Sequence, residues 1–222
     1  MSFKNFLRRI NRGIVLAIAL IIGLTCYLAV DSIAFNEERE IIRQRLEEYA
    51  RDLTNMMLLP EQFREVGTEA PETLLEVKAR EGRRLAAEYF SSGLGRGWSM
   101  RDNVAGSLEH MFRGNEERGE KIQSYEANLT RIRSITKHGT NLVTVEADIT
   151  TTVIATADAG VFNVFFDWGG RYHWGRIYGE ETEKAFSSRV IEASFTAEMR
   201  KIDGVWVFSS QEGLRISERH GG

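Results

Sequence analysis

An uncharged apolar segment near the N-terminus constrains this chain more than any other feature. Residues 13–30 read GIVLAIALIIGLTCYLAV and contain no charged side chain. A helix of this length rises roughly 27 Å at about 1.5 Å per residue, which approaches the hydrocarbon thickness of a bilayer. Asp31 follows the segment directly, and four cations precede it: Lys4, Arg8, Arg9 and Arg12. The length of the segment predicts a transmembrane helix over residues 13–31. The excess of cations before it predicts that residues 1–12 form a cytoplasmic tail.

The same asymmetry predicts where the rest of the chain lies. It indicates a single-pass protein of the bacterial inner (cytoplasmic) membrane, with its C-terminal domain on the periplasmic or extracellular side. A cleaved signal peptide is the alternative, because Ser32-Ile33-Ala34 has the small-x-small shape of a cleavage site. The apolar segment is longer than the usual core of about 7–15 residues in signal peptides, which favours a retained signal anchor.

Charge and cysteine content exclude several classes of function. Four of the 29 lysines and arginines precede the apolar segment, so the remainder carries 25 against 32 acidic residues, a formal charge of −7. This balance disfavours nucleic-acid binding. The single cysteine, Cys26, lies inside the predicted span, so no intramolecular disulfide is expected. The histidines lack metal-ligand spacing, and neither a metal site nor a cofactor is predicted: His110, His138, His173 and His220.

A juxtamembrane helix is predicted within a stalk and linker of residues 32–70, with Asn36 as its N-cap and Pro60 beyond its end. Its apolar residues follow alternating spacings of four and three, as in a coiled-coil seam. The seam residues are Ile42, Leu46, Tyr49, Leu53 and Met56. The seam covers only two heptads, so both packing against the chain's own domain and self-association of stalks remain open.

The residues that follow predict helices and then a sheet. One amphipathic helix starts at Pro71, and a second starts at Asp102 as its cap; residues 113–119 read as a solvated connection. From Lys121 the apolar period changes to two. About six strands in an antiparallel meander are predicted, over residues 122–137, 143–155, 161–168, 171–178, 191–199 and 205–208, with turns at His138-Gly139, Gly169-Gly170 and Asp203-Gly204.

The predicted fold class is therefore α+β, with helices packed on a bent antiparallel sheet over residues 71–216 and a flexible tail of residues 217–222. From Pro71 to Leu214 this element order resembles the cone-shaped fold of nuclear transport factor 2 and ketosteroid isomerase. With one span and a juxtamembrane helix added, the chain also resembles the VirB-type inner-membrane scaffold subunits of type IV secretion and conjugation systems. The Asn-Pro-x-Gly motif of those subunits is absent, since Pro60 and Pro71 follow Leu59 and Ala70.

A short aromatic and arginine-rich run is the most distinctive local motif. Large rigid rings and guanidinium groups are the residue types that anchor protein interfaces. The candidate interface residues are Trp168, Arg171, Tyr172, Trp174, Arg176 and Tyr178. An ordinary hairpin, with one face in the core and the other in solvent, is the alternative for this run.

Cone folds also support enzymes, in which a carboxylate from the sheet faces an apolar pocket. Glu146, Asp148 and Asp167 are the candidates here, although Glu146 and Asp148 occupy the polar register of their strand. No nucleophile, base and oxyanion site can be assembled from the sequence. No catalytic residue is therefore predicted, and the chain is expected not to be an enzyme.

These observations predict a membrane-anchored scaffold or assembly subunit of an envelope complex, such as a secretion or conjugation machine. Its expected partners are the membrane and either further copies of itself or other envelope subunits, with no nucleic acid. The first alternative is a membrane-tethered module that binds a small ligand in an apolar cone cavity lined by aromatic side chains. An isomerase-like enzyme is the second alternative.

Overall fold

The computed structural model describes residues 12–93, 99–162 and 185–220. The chain divides into two compact units, Met1–Arg43 and Gln44–Gly222. The second unit therefore begins inside the segment 32–70 that the sequence assigns to a stalk and linker.

Three α-helices precede a four-stranded sheet in the described residues. The helices are α1 (Arg12–Met57), α2 (Glu72–Tyr89) and α3 (Met100–Glu117), with a short 3-10 helix at Glu61–Phe63. The strands are β1 (Ile122–Gly139), β2 (Leu142–Thr156), β3 (Phe186–Ile202) and β4 (Val205–His220). The predicted α+β class is confirmed by this order.

In the first unit, the early turns of α1 carry apolar side chains that face outward. They are 46–66% exposed: Val15, Leu16, Ile18, Leu20, Ile21, Ile22 and Leu24. In this segment the structure describes the side chains of residues 15–26 and 33. Among the residues that the structure describes, no helix has a stretch that is both long and apolar enough to cross a membrane. The transmembrane helix predicted over residues 13–31 is therefore not confirmed.

The predicted helix start at Asn36 is wrong, because α1 runs without a break from Arg12 to Met57. Neither glycine nor proline occurs between Gly23 and Pro60, so nothing in the sequence interrupts the helix there. The later helix starts also differ in detail. Pro71 is the N-cap of α2, and Ser99 caps α3 by accepting a hydrogen bond from the backbone N–H of Asp102.

Helix α3 extends further than the sequence predicts. Helix α3 continues to Glu117, so most of the stretch 113–119, predicted as a solvated connection, is helical. Gly114 and Asn115 are buried in it. Asn115 accounts for this burial, because its amide exchanges hydrogen bonds with both backbone groups of Gly160, at 2.7 and 2.8 Å.

The sheet is an antiparallel meander in the order β1-β2-β3-β4. Gly139 pairs with Leu142 and Ile202 pairs with Val205, so each of these hairpins has a two-residue turn. Asp203 and Gly204 have positive φ values of 50° and 85°, as the mirror-image turn that suits right-twisted strands requires. The turn predicted at Asp203-Gly204 is therefore present, whereas the turn predicted at His138-Gly139 lies two residues later.

Within the described residues the sheet has four strands, whereas the sequence predicts about six. Val161 and Phe162 are buried outside any strand, and the Phe162 carbonyl accepts a hydrogen bond from the Tyr125 hydroxyl at 2.8 Å. The remainder of the predicted strands 161–168 and 171–178 lies outside the described residues. Strand β4 reaches His220, well beyond the predicted end at Phe208 and into the predicted tail.

The core of the second unit lies between the helices and one face of the sheet. Its centre is an aromatic cluster in which the Tyr49 ring lies 5.1 Å from Tyr89, 5.5 Å from Phe90 and 5.6 Å from Phe208. Residues from α1, the end of α2 and β4 thus meet at one point. This part of the interior is occupied by the chain's own side chains.

Candidate functional site

Arg45 joins three elements at one end of the second unit. Its guanidinium carbon lies 4.1 Å from the centre of the Tyr89 ring, within the range of a cation–π contact. Its Nη2 donates to the carbonyl of Glu88 at 2.7 Å, and its Nε donates to the carbonyl of Trp206 at 3.3 Å. Because both carbonyls belong to other elements, Arg45 fixes α1 against α2 and β4.

Tyr89 of α2 and Asp52 of α1 form a hydrogen-bonded polar pair. The Tyr89 hydroxyl donates to Oδ2 of Asp52 at 2.7 Å. Burial of Tyr89, followed by the hydrogen bond to Asp52, raises the pKa of the phenol well above its ordinary value. The phenol donates its proton to the hydrogen bond with Asp52, whose carboxylate lines a cleft.

This cleft lies between α1 and α2 and encloses about 200 Å³. Its lining is mostly polar and includes three carboxylates: Asp52, Asn55, Met56, Glu81, Arg84, Leu85 and Glu88. Lys78 lies at its margin, where Nζ donates to Oε2 of Glu81 at 2.8 Å and to the Met56 carbonyl at 3.1 Å. Within the described residues no group of His, Cys, Asp and Glu side chains could hold a metal ion. Each carboxylate of the cleft already has a partner in the chain: Tyr89 for Asp52, Lys78 for Glu81 and Arg45 for Glu88.

A second and larger cleft, of about 370 Å³, lies on the other side of α1. It is lined by α1 and the first half of β1: Glu47, Ala50, Arg51, Thr54, Glu126, Ala127, Asn128 and Leu129. The Thr54 hydroxyl closes its floor, because it donates to the Ala50 carbonyl at 2.9 Å and accepts from the Ala127 backbone N–H at 2.9 Å. Carboxylate, guanidinium and amide groups thus surround a volume that suits a small polar molecule.

Glu146 and Asp148 lie on the polar face of the sheet. Arg133 contacts both carboxylate oxygens of Asp148, with Nε 2.9 Å from Oδ2 and Nη2 2.9 Å from Oδ1. Its Nη2 also donates to the Ser194 hydroxyl at 3.1 Å. Glu146 is exposed and accepts a hydrogen bond from the Ser134 hydroxyl at 3.1 Å. The third sequence candidate, Asp167, lies outside the described residues. Neither described carboxylate lines either of the two clefts beside α1.

The predicted interface residues fall into two groups. The seam residues are buried in the structure of the single chain, at 0–5% exposure: Ile42, Leu46, Tyr49, Leu53 and Met56. A contact between two stalks through this face would first have to expose these side chains. The remaining six lie outside the described residues: Trp168, Arg171, Tyr172, Trp174, Arg176 and Tyr178.

The groups around Arg45 were not found by sequence reasoning. Arg45, Glu48 and Asp52 recur at spacings of three and four, which places them on one face of a helix. That spacing is the only local signal. The other partners of Arg45 and Asp52 come from α2 and β4, so the full cluster is visible only once the chain is folded.

No protein-family model and no curated protein sequence matches this chain. Five chains among the solved structures are similar to it, and three of them are as follows. A protein assigned as a scytalone dehydratase from Novosphingobium aromaticivorans DSM 12444 has a TM-score of 0.48 and 14% identity, over 86% of this chain and 92% of that chain.

The second structure is a protein assigned as a calcium/calmodulin-dependent protein kinase II association domain from Xanthomonas campestris. It has a TM-score of 0.36 and 11% identity, over 77% of this chain and 82% of that chain. The third, the type 2 hexachlorocyclohexane dehydrochlorinase LinA, has a TM-score of 0.35 and 16% identity, over 82% of this chain and 93% of that chain.

At these identities the likeness concerns the fold alone. The scytalone dehydratase-like protein and LinA have NTF2-like cone folds, the fold that the element order from Pro71 to Leu214 resembles. Nothing in these comparisons supports the resemblance to VirB-type scaffold subunits. The prediction that the chain is not an enzyme is contradicted, because the names of two of these structures are those of a dehydratase and a dehydrochlorinase.

Proposed function

We propose that this protein is a membrane-anchored NTF2-like protein of the bacterial inner membrane. In this proposal the apolar segment 13–30 holds the chain in the bilayer, residues 1–12 are cytoplasmic, and the second unit lies on the outer side. One observation carries the proposal: seven apolar side chains between Val15 and Leu24 face outward on α1.

Such an exposed apolar surface is costly in water. Burial of one large aliphatic side chain contributes about 1.5–3 kcal/mol, so transfer of the seven into lipid would contribute on the order of 10 kcal/mol. A helix also satisfies its own backbone hydrogen bonds, which lipid cannot do. The four cations that precede the segment favour the cytoplasmic side for the N-terminus.

Membrane extraction tests this proposal. After expression in a bacterium, the full chain should remain with the membranes through an alkaline carbonate wash. The double variant Leu20→Arg with Ile22→Arg should move to the soluble fraction, because each arginine near the centre of a span costs about 2.5–3.5 kcal/mol. Val77→Arg is the matched control, since Val77 is an exposed valine of α2 and its variant should stay with the membranes. Release of the unaltered chain by the wash would contradict the proposal.

The outer domain is proposed to serve as an assembly subunit of an envelope complex, with the aromatic and arginine-rich run 168–178 as its contact. The support for this role is the chemistry of the residues, since tyrosine, tryptophan and arginine dominate interface energetics. A photo-crosslinking residue placed at Tyr172, Trp174 or Tyr178 should give an adduct with a second protein in cells. Absence of any adduct at all three positions would contradict the assembly role.

Ligand binding is a second candidate function, favoured by the 370 Å³ cleft between α1 and β1. Its ring of Glu47, Arg51 and Glu126 suits a small molecule that carries both charges. A set of amino acids and other zwitterions should include a compound that raises the melting temperature of the chain but not that of Arg51→Ala. The proposal fails if every compound affects both proteins equally.

A further inference from the structure

We infer that the second unit touches the membrane surface with two hairpin turns, residues 137–142 and 200–206, here called the tip surface. The occupant is an anionic lipid surface. The inference rests on the proposed membrane attachment and adds to it a second contact, made by the folded domain itself.

The first argument concerns the position at which the chain enters the second unit. The second unit begins at Gln44, and the next residue, Arg45, donates to the carbonyl of Trp206 beside the β3–β4 turn. Further along α1, Thr54 bonds to Ala127, which lies towards the opposite end of the sheet. The chain therefore enters the second unit at the end that carries the tip surface.

The second argument is an apolar pair at the turn. Ile202 and Val205 are direct cross-strand partners, and they are 42% and 46% exposed. They flank Asp203-Gly204, so their side chains stand at the end of the sheet. The Lys201 backbone N–H donates to the Asn141 carbonyl at 3.0 Å, which ties this turn to the neighbouring one. A small apolar pair on a fixed turn can insert into the interfacial region of a bilayer without unfolding any element.

The third argument is local charge. The chain beyond residue 12 is acidic, with 25 lysines and arginines against 32 acidic residues. The tip surface has the opposite sign, because it carries one carboxylate, Asp203, and three permanent cations. The cations are Lys137, Arg200 and Lys201, and His138 lies beside them. Cations beside exposed aliphatic side chains match the headgroups of an anionic lipid such as phosphatidylglycerol, because opposite charges attract within about 10 Å of the surface.

Fluorescence quenching by nitroxide-labelled lipids tests the inference on the full chain. The chain is reconstituted into vesicles of phosphatidylglycerol and phosphatidylethanolamine that contain lipids with nitroxide groups on their acyl chains. An environment-sensitive fluorophore is attached to native Cys26 in one sample. In a Cys26→Ser background it is attached through Val205→Cys in the second sample and through Val77→Cys in the third, as a control.

The inference predicts quenching at Cys26 and at position 205, and none at position 77. Quenching at position 205 should be lost when phosphatidylcholine replaces phosphatidylglycerol, or when Lys137→Gln and Lys201→Gln are introduced together. Quenching at Cys26 with no more quenching at position 205 than at position 77 overturns the inference and leaves the anchor intact. A blue-shifted but unquenched label at position 205 indicates a protein partner and also overturns it. Absence of quenching at Cys26 rejects the anchor, and the inference with it.

Discussion

The hydroxyl of Tyr89 lies 2.7 Å from Oδ2 of Asp52 and donates a hydrogen bond to it across the α1–α2 contact. The guanidinium carbon of Arg45 lies over the same ring, 4.1 Å from its centre. A buried phenol thus links the polar margin of a cleft to the aromatic core of the domain. The contact holds the last turns of α1 against α2.

Tyr89→Phe should lower the free energy of unfolding by about 1–2 kcal/mol, because a hydrogen bond to a charged group is lost while water can still reach Asp52. Urea denaturation followed by circular dichroism measures this change. A double-mutant cycle with Asp52→Ala is the control, since the two substitutions remove the same contact and their effects should not add. Fully additive effects would show that the contact contributes nothing.

The raised pKa of Tyr89 predicts that the free energy of unfolding depends on pH in the alkaline range. The pKa of Tyr89 is raised in the folded chain, by burial first and by the bond to Asp52 second. An unfolded tyrosine ionises near pH 10, so above that pH the unfolded state loses a proton that the folded state retains. The stabilising contribution is complete below about pH 10 and falls as the pH rises further.

Denaturation curves at pH 8 to 11 for the unaltered chain and for Tyr89→Phe test this dependence. The stability difference between the two proteins should shrink above about pH 10, since the unaltered chain loses the contribution that the variant already lacks. A difference that grows with pH would mean that the phenolate is favoured in the folded state, contrary to the structure.

The ion pair of Lys121 and Glu116 should be sensitive to the loss of one partner. Nζ of Lys121 lies 2.8 Å from Oε2 of Glu116, and the lysine side chain is 1% exposed. Lys121→Met should lower the free energy of unfolding by about 3–5 kcal/mol, because it leaves a largely buried carboxylate without its cation. Adding Glu116→Gln should restore much of the loss while keeping an oxygen for the Ala70 N–H that Glu116 now satisfies. A double variant less stable than Lys121→Met would contradict this account.

Two helical glycines should respond to alanine in opposite ways. A Cβ at Gly82 would lie 3.2 Å from Cβ of Leu108, where α2 and α3 approach each other, whereas a Cβ at exposed Gly106 meets nothing within 4 Å. Gly82→Ala should therefore destabilise by about 1 kcal/mol or more through overpacking. Gly106→Ala should stabilise by about 0.5–1 kcal/mol through helix propensity. Thermal unfolding of both variants measures the difference, and equal shifts in one direction would contradict the proposed close approach.

Much of the fold could be predicted from the periodicity of the sequence, because periodicity reports which faces are buried. The apolar period of three to four located α2, and the period of two located β2 and β3. The helix start predicted at Asn36 was wrong because a cap residue marks a helix start only where a continuing helix is unfavourable, and neither glycine nor proline lies between Gly23 and Pro60. The full length of β4 was missed because Ser209, Ser210 and Gln211 interrupt its apolar pattern.

The candidate site was less predictable than the fold. Arg45 and Asp52 each depend on a partner from α2, and Arg45 also depends on a carbonyl of β4. A bulge in β1 between Ile132 and Ser134 places Arg133 against Asp148, and bulges of this kind leave no simple alternation to read. Long-range pairs and irregular register are decided by the folded chain as a whole.

The reactivity of Cys26 tests the membrane anchor most directly. Cys26 is exposed in the structure of the single chain, so only a surrounding bilayer or a bound partner would protect it. In isolated membranes, a membrane-impermeant maleimide should leave Cys26 unlabelled until the sample is denatured in detergent. The matched control, Val77→Cys in a Cys26→Ser background, should react in intact membranes that expose the domain. Labelling of Cys26 in those membranes as fast as labelling at position 77 would contradict the anchor.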